Sequence, residues 1–203
     1  MVSTDAKCAS EPSKKPERPG MDHMPRPPMV TDCIFLFGPR AAGKSTVGKA
    51  LVDLLPNWTF YDIDYEFRLR FESDRENAED RPPVSYYEGC RKIMLDCMEN
   101  ERVIIALGGG AIVNDVIPEV GIRNFQDCRR RGALVLVLPA RRRSRCCHII
   151  YQRESKRRYV MTEDYVRQQF DQRVGRMRDY ADGIVYGIAP RRLAQQVIRR
   201  YGL

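Results

Sequence analysis

No run in this 203-residue chain approaches the roughly 18 consecutive apolar residues that a membrane span requires. Histidine is scarce: His23 and His148 are the only two, the first in a polar leader and the second on an expected helix, so no histidine base is implicated. The seven cysteines are odd in number and form no CxxC pair. Without an apolar stretch of signal-peptide length, they fit reduced thiols in a cytoplasmic protein better than a disulfide frame. Adjacent Cys146 and Cys147 lack a second half-site, which argues against zinc.

The first thirty residues contain no aromatic residue but six of the thirteen prolines, with five basic side chains against four acidic ones. This composition reads as a disordered leader over 1–30. Its acidic residues argue against an organellar transit peptide, and Met21, Met24 or Met29 are alternative starts. The rest, 31–203, has the length and hydrophobic content of one compact domain.

The net charge of +8 lies almost wholly outside that leader. Arg129–Arg131 and Arg141–Arg143 lack the interleaved aromatics or docking element of a nucleic-acid surface, so they read as solvated faces, with no nucleic-acid or membrane partner expected. Lys156–Arg158 is the exception to this solvated-face reading.

From residue 31 onward, strand and helix patterns alternate. CIFLFG is a short apolar run, and KSTVGKALVDLL shows helical spacing at Val47, Leu51 and Leu54 or Leu55. WTFYDID is strand-like, YYEGCRKIMLDCMEN helical, and RVIIALG and ALVLVL read as buried strands. EDYVRQQFDQRVGRMRDYA is a long helix, GIVYG a last strand, and PRRLAQQVIRRY a last helix opened by Pro190. Strands apolar throughout and separated by helices indicate an α/β fold, with a central parallel sheet covered by helices on both faces.

GPRAAGKST, comprising Gly38, Pro39, Arg40, Ala41, Ala42, Gly43, Lys44, Ser45 and Thr46, matches G-x-x-x-x-G-K-[ST] between a strand and a helix. Such a loop wraps backbone N–H groups around phosphates, with Lys44 reaching the β- and γ-phosphates and Ser45 able to hold Mg²⁺. ATP binding is therefore expected. In FYDIDYEF, Asp62 and Asp64 are two apart, which on a strand puts both carboxylates on one side. Beside a P-loop, one can order hydrated Mg²⁺ and the other accept the proton of an attacking hydroxyl.

ALGGGAI closes a buried strand with Gly108, Gly109 and Gly110, where a backbone without side chains permits close approach of another group. Together with the P-loop, D-x-D, and an arginine shortly before Ala181-Asp182, this pattern resembles the shikimate kinase family. The resemblance runs from about residue 33 to 200. It implies a three-layer P-loop kinase fold with a mobile lid, monomeric and acting on ATP and shikimate with Mg²⁺.

Transferred onto this sequence, the resemblance gives Asp62 and Ser45 the metal side and Asp64 the substrate hydroxyl. It sets Gly108–Gly110 against the shikimate ring, and Arg91 and Arg173 on its carboxylate, where guanidinium forks suit a planar anion. It implies Arg153 over the adenine face, Pro190 and Arg191 in the loop covering adenine, and Arg158 as a lid arginine approaching the transferred phosphate. Lys44, Asp64 and Arg158 would be catalytic.

The sequence also departs from the family. YYEGCR keeps only Arg91 of G-E-x-x-F-R, and the stretch from Arg91 to Gly108 is about one helical turn short. RYVM replaces the lid's R-P-L-L, RVGRM replaces R-x-P-L-Y, and RFESDRENAEDRPP does not follow the usual substrate-domain pattern. A non-catalytic module binding shikimate or quinate, or a kinase for another small acceptor, are the alternatives these departures leave open.

Overall fold

A computed structural model describes residues 31–71, 84–156 and 162–203. The expected leader over 1–30 and the lid arginine Arg158 lie outside the described residues.

The elements follow the order β1 (Cys33–Phe37), α1 (Lys44–Val52), β2 (Thr59–Asp62), α2 (Ile63–Arg70), α3 (Val84–Met98), β3 (Val103–Ala106), α4 (Pro118–Arg131), β4 (Ala133–Leu138), α5 (Arg143–Glu154), α6 (Glu163–Tyr180), β5 (Gly183–Tyr186) and α7 (Pro190–Tyr201). The five strands form one parallel sheet in the order β2-β3-β1-β4-β5. Because all strands run the same way, their carboxyl ends share one edge, and the chain crosses to opposite sides of β1 to reach β3 and β4.

Alternation along the strands divides the core into two layers. Phe35, Phe37, Leu134, Leu136 and Leu138 face a layer completed by side chains of α2 to α6. Ile34, Leu36, Val135 and Val137 face the other, where α1 and α7 contribute Val47, Leu51, Leu193 and Val197. At roughly 1.5–3 kcal/mol for each large apolar side chain removed from water, this two-sided burial dominates the stability. The expected three-layer α/β architecture is the one observed.

Two local features differ from the sequence reading. The helical spacing through Leu54 and Leu55 stops at Val52, and these leucines lie in the following turn. The segment WTFYDID is a strand only as far as Asp62, and α2 begins at Ile63. Asp62 caps that helix, its Oδ1 accepting the Tyr65 N–H at 3.3 Å, so the carboxylate that ends the strand also satisfies an orphan donor of the helix.

Glycine sets one interlayer distance. The face of α1 at Gly48 lies so close to β2 that any Cβ there would overlap the Phe60 ring. Farther along, α4 ends in Arg129, Arg130 and Arg131, where positive charge suits the carbonyl end of a helix. Arg129 is ion-paired to Asp182, whose Oδ2 accepts the Leu134 N–H at 2.8 Å. The Ala181-Asp182 pair thereby ties α4, β4 and the entry to β5 together.

Candidate active site

Above the carboxyl edge of the sheet opens a cleft of about 1880 Å³. The P-loop enters it directly from β1. Gly38 and Gly43 have φ of +140° and +105°, values that a side chain disfavours, and a Cβ at Gly38 would come within 2.7 Å of the Val137 carbonyl oxygen. Lys44 Nζ donates to the carbonyls of Gly38 and Pro39 at 3.1 and 3.0 Å, spanning the loop. Pro39 through Thr46 line the cleft, while Gly38 serves as the bend at its root.

The last turn of α5 supports this loop from behind. Arg153 Nη1 donates to the carbonyls of Ala41 and Ala42 at 2.9 and 3.2 Å, and Arg40 Nε lies 3.4 Å from the carboxylate of Glu154. Glu154 is 1% exposed, so the guanidinium of Arg40 compensates a carboxylate withdrawn from water. Arg153, expected over the adenine face, lines the cleft, and its Nη1 is committed to the P-loop backbone. Pro190 lines the cleft at the first turn of α7, whereas Arg191 is exposed and does not line it.

Asp62 and Asp64 both face the cleft, though not by strand alternation. Asp62 is the last strand residue and helix cap, and Asp64 belongs to the first turn of α2. The Asp64 carboxylate abuts the glycine loop after β3: a Cβ at Gly108 would stand 2.7 Å from its Oδ1. A Cβ at Gly110 would meet the Tyr87 ring at 2.9 Å, and one at Gly109 would touch Arg40 at 3.4 Å. None of the three glycines has positive φ among the residues that do. Close approach of the Asp64 and Tyr87 side chains is what disfavours a larger residue at Gly108 and Gly110, whereas the contact at Gly109 is an ordinary one.

Arg173, on α6, closes the opposite wall. Its Nη2 donates to the carbonyls of Gly109, at 2.9 Å, and Val113, and its Nε lies 3.5 Å from Asp115. Burial pulls its pKa below the ordinary guanidinium value, while Asp115 works in the opposite sense. Asp115 also accepts from Arg176 at 2.5 Å. A carboxylate thus already sits between two arginines one helical turn apart.

Arg91 is not brought into the cleft. It projects from α3 toward α4, donating to Asn124 Oδ1 and Asp127 Oδ2, both at 2.7 Å, and does not line the cavity. Charge pairing with Asp127 explains the direction. The connection to the site is indirect, because Asn124 Nδ2 donates to the carbonyl of Ala111 at 2.9 Å, immediately after the glycine loop.

Tyr86, Tyr87 and Asp115 line the cleft without having been singled out from the sequence. Tyr86 donates its hydroxyl to Asp64 Oδ1 at 2.6 Å. The only sequence signal was the place of the two tyrosines, where G-E was expected.

Among the described residues no group of three or more His, Cys, Asp or Glu could cage a metal, and no helix is long and apolar enough to cross a membrane. The hydroxyl of Ser45 and the carboxylate of Asp62 are hard oxygen donors beside Lys44, a set that fits Mg²⁺ held chiefly by water and phosphate.

The architecture is shared with solved structures. The shikimate kinase from Acinetobacter baumannii, determined in complex with shikimate, superposes with a TM-score of 0.67 at 23% identity, covering 84% of this chain and 93% of that one. In sequence, the shikimate kinase of Tolumonas auensis is 31% identical over 180 residues, 84% of this chain and 96% of its own. That of Aeromonas salmonicida is 40% identical over 83 residues, 39% of this chain and 46% of its own. The family profile described as shikimate kinase matches residues 40–199, from the P-loop to the last helix. With phosphate loop, paired aspartates and triple glycine meeting in one cleft, and with that match spanning most of its length, the chain belongs to the shikimate kinase family.

Proposed function

We propose that this chain transfers the γ-phosphoryl group of ATP to the 3-hydroxyl of shikimate, giving shikimate 3-phosphate and ADP. The observation that carries this reading is the Asp64 carboxylate set against Gly108 in the same cleft as Lys44, with Arg173 on the far wall.

The P-loop amides and Lys44 hold the triphosphate, and Ser45 with Asp62 would hold Mg²⁺. Bound there, the metal supplies charge neutralisation on the β- and γ-phosphates. Asp64 orients the acceptor hydroxyl and takes its proton. A bond forms from that oxygen to the γ-phosphorus, the bond from phosphorus to the β,γ-bridging oxygen breaks, and ADP departs with its electron pair. Arg173, whose Nη2 is engaged by the Gly109 and Val113 carbonyls and whose Nε lies beside Asp115, would offer Nη1 and its positive charge to the substrate carboxylate, and the backbone of Gly108–Gly110 borders the ring. The reading includes a monomer acting in the cytoplasm, both resting on the family resemblance.

Coupled ADP release with MgATP, with and without shikimate, tests it. Shikimate-dependent release that falls at least a hundredfold in Asp64→Asn, with nucleotide affinity retained, is the expected result. Absence of release together with calorimetric binding of shikimate would instead identify a binding module.

A further inference from the structure

Asp64 is bordered on one side by α3, where Tyr86 and Tyr87 occupy positions at which the family pattern has glycine and glutamate. The Tyr86 hydroxyl donates to Asp64 Oδ1 at 2.6 Å, a short bond of the charge-assisted kind. Oδ1 is also the oxygen nearer Gly108: a Cβ there would be 2.7 Å from Oδ1 but 3.8 Å from Oδ2. Among the described residues the hydrogen bond to this carboxylate falls on Oδ1 and none reaches Oδ2. One oxygen is therefore fixed between a phenol and a glycine, and the other remains for an incoming hydroxyl.

The phenol is itself held. Its ring packs edge-on against Phe67 with centroids 4.7 Å apart, and against Tyr87 at 5.5 Å. Phe67 is 4% exposed and follows Asp64 by three residues, on the same side of α2. It fits under α3 only because position 89 is glycine, where a Cβ would strike the ring at 2.5 Å. The same aromatic thus packs against the Tyr86 ring from the helix that carries Asp64. Burial and the neighbouring Asp64 charge push the Tyr86 pKa far above its ordinary value, so the hydroxyl stays a donor throughout the working pH range.

We infer that Tyr86 is a positioning residue for phosphoryl transfer: its hydroxyl locks Asp64 Oδ1 so that Oδ2 is presented to the acceptor hydroxyl. This rests on the shikimate kinase reading above.

The test compares the full-length chain with its Tyr86→Phe variant, which keeps the ring and removes only the hydroxyl, using MgATP and shikimate at several concentrations. The expected result is a kcat lowered about ten- to hundredfold, the scale of one hydrogen bond to a charged group. KM for MgATP should stay within twofold and the thermal midpoint within a few degrees. A kcat within twofold of the parent chain overturns the inference, as does an effect confined to the shikimate KM, which would make Tyr86 a direct substrate contact. A loss of kcat accompanied by an equal loss of folded protein also overturns it, since the phenol would then be structural. If the parent chain itself shows no shikimate-dependent turnover, the functional reading fails, an outcome distinct from an active parent with an unaffected variant.

Discussion

Arg153 Nη1 lies 2.9 Å from the carbonyl oxygen of Ala41 and 3.2 Å from that of Ala42, so a helix more than a hundred residues downstream braces the phosphate loop. Ala41 has φ of +53° without being glycine, and such a conformation persists only where neighbours enforce it. Arg153→Leu should therefore raise KM for ATP about tenfold, on the scale of a lost charged hydrogen bond, with a smaller change in kcat. Steady-state kinetics at saturating shikimate would show it, and an unchanged ATP KM would mean that the loop holds its shape unaided.

Asp115 carries a carboxylate where the substrate's would compete for Arg173. Converting it to Asn removes the charge that now sits 3.5 Å from Arg173 Nε and pairs with Arg176. The shikimate KM of Asp115→Asn should fall severalfold, given that exposed ion pairs are worth roughly 0.2–1 kcal/mol. A rise in that KM would show that Asp115 orients Arg173 rather than competing for it.

Arg91 separates the structure's account of α3 from that of the sequence. Its pair with Asp127 leaves the two side chains 15% and 22% exposed, so Arg91→Met should cost about 2 kcal/mol, below the ~3–5 of a fully buried pair. Denaturant unfolding measures this directly. Should the variant keep its stability yet lose shikimate affinity tenfold or more, Arg91 must reach the substrate after all.

Buried thiols make stability sensitive to alkali. Burial pushes Cys97 and Cys146 up to about 11, and Cys128 well above its ordinary value. Unfolded thiols lose their protons near pH ~8.5, while the folded ones retain them. The unfolded chain then binds fewer protons, so the contribution of Cys97 and Cys146, complete below that pH, declines as pH rises toward about 11. Thermal midpoints of the parent chain should drop faster above pH ~8.5 than those of Cys97→Ala, normalised to pH 7. Parallel curves would exclude Cys97 as a contributor.

What was legible in the sequence was what is local. The P-loop is a contiguous stretch whose glycines, lysine and serine do their work within nine residues, and the apolar runs of β1, β3 and β4 announce a sheet buried on both faces. Where meaning depends on a distant partner, the sequence was silent. The direction of Arg91 is decided by Asp127, 36 residues away, and no periodicity records such a choice. Asp62 and Asp64 were correctly paired for a mistaken geometric reason, because a carboxylate that caps a helix can end a strand without any change in its local pattern. Tyr86 read as an ordinary helix residue since its partner, Asp64, lies 22 residues upstream. In each case tertiary contact overrode a one-dimensional signal.

The contact between Gly48 and Phe60 has a mechanical consequence. Lys44 and Ser45 begin the helix that carries Gly48, and Asp62 ends the strand that carries Phe60. The gap between phosphate donors and carboxylate is thus gauged by a ring lying flush against bare backbone, about one turn from one end and two residues from the other. Adding a single methyl at position 48 would act as a shim, widening the jaws of the site without touching any group that meets ATP or shikimate.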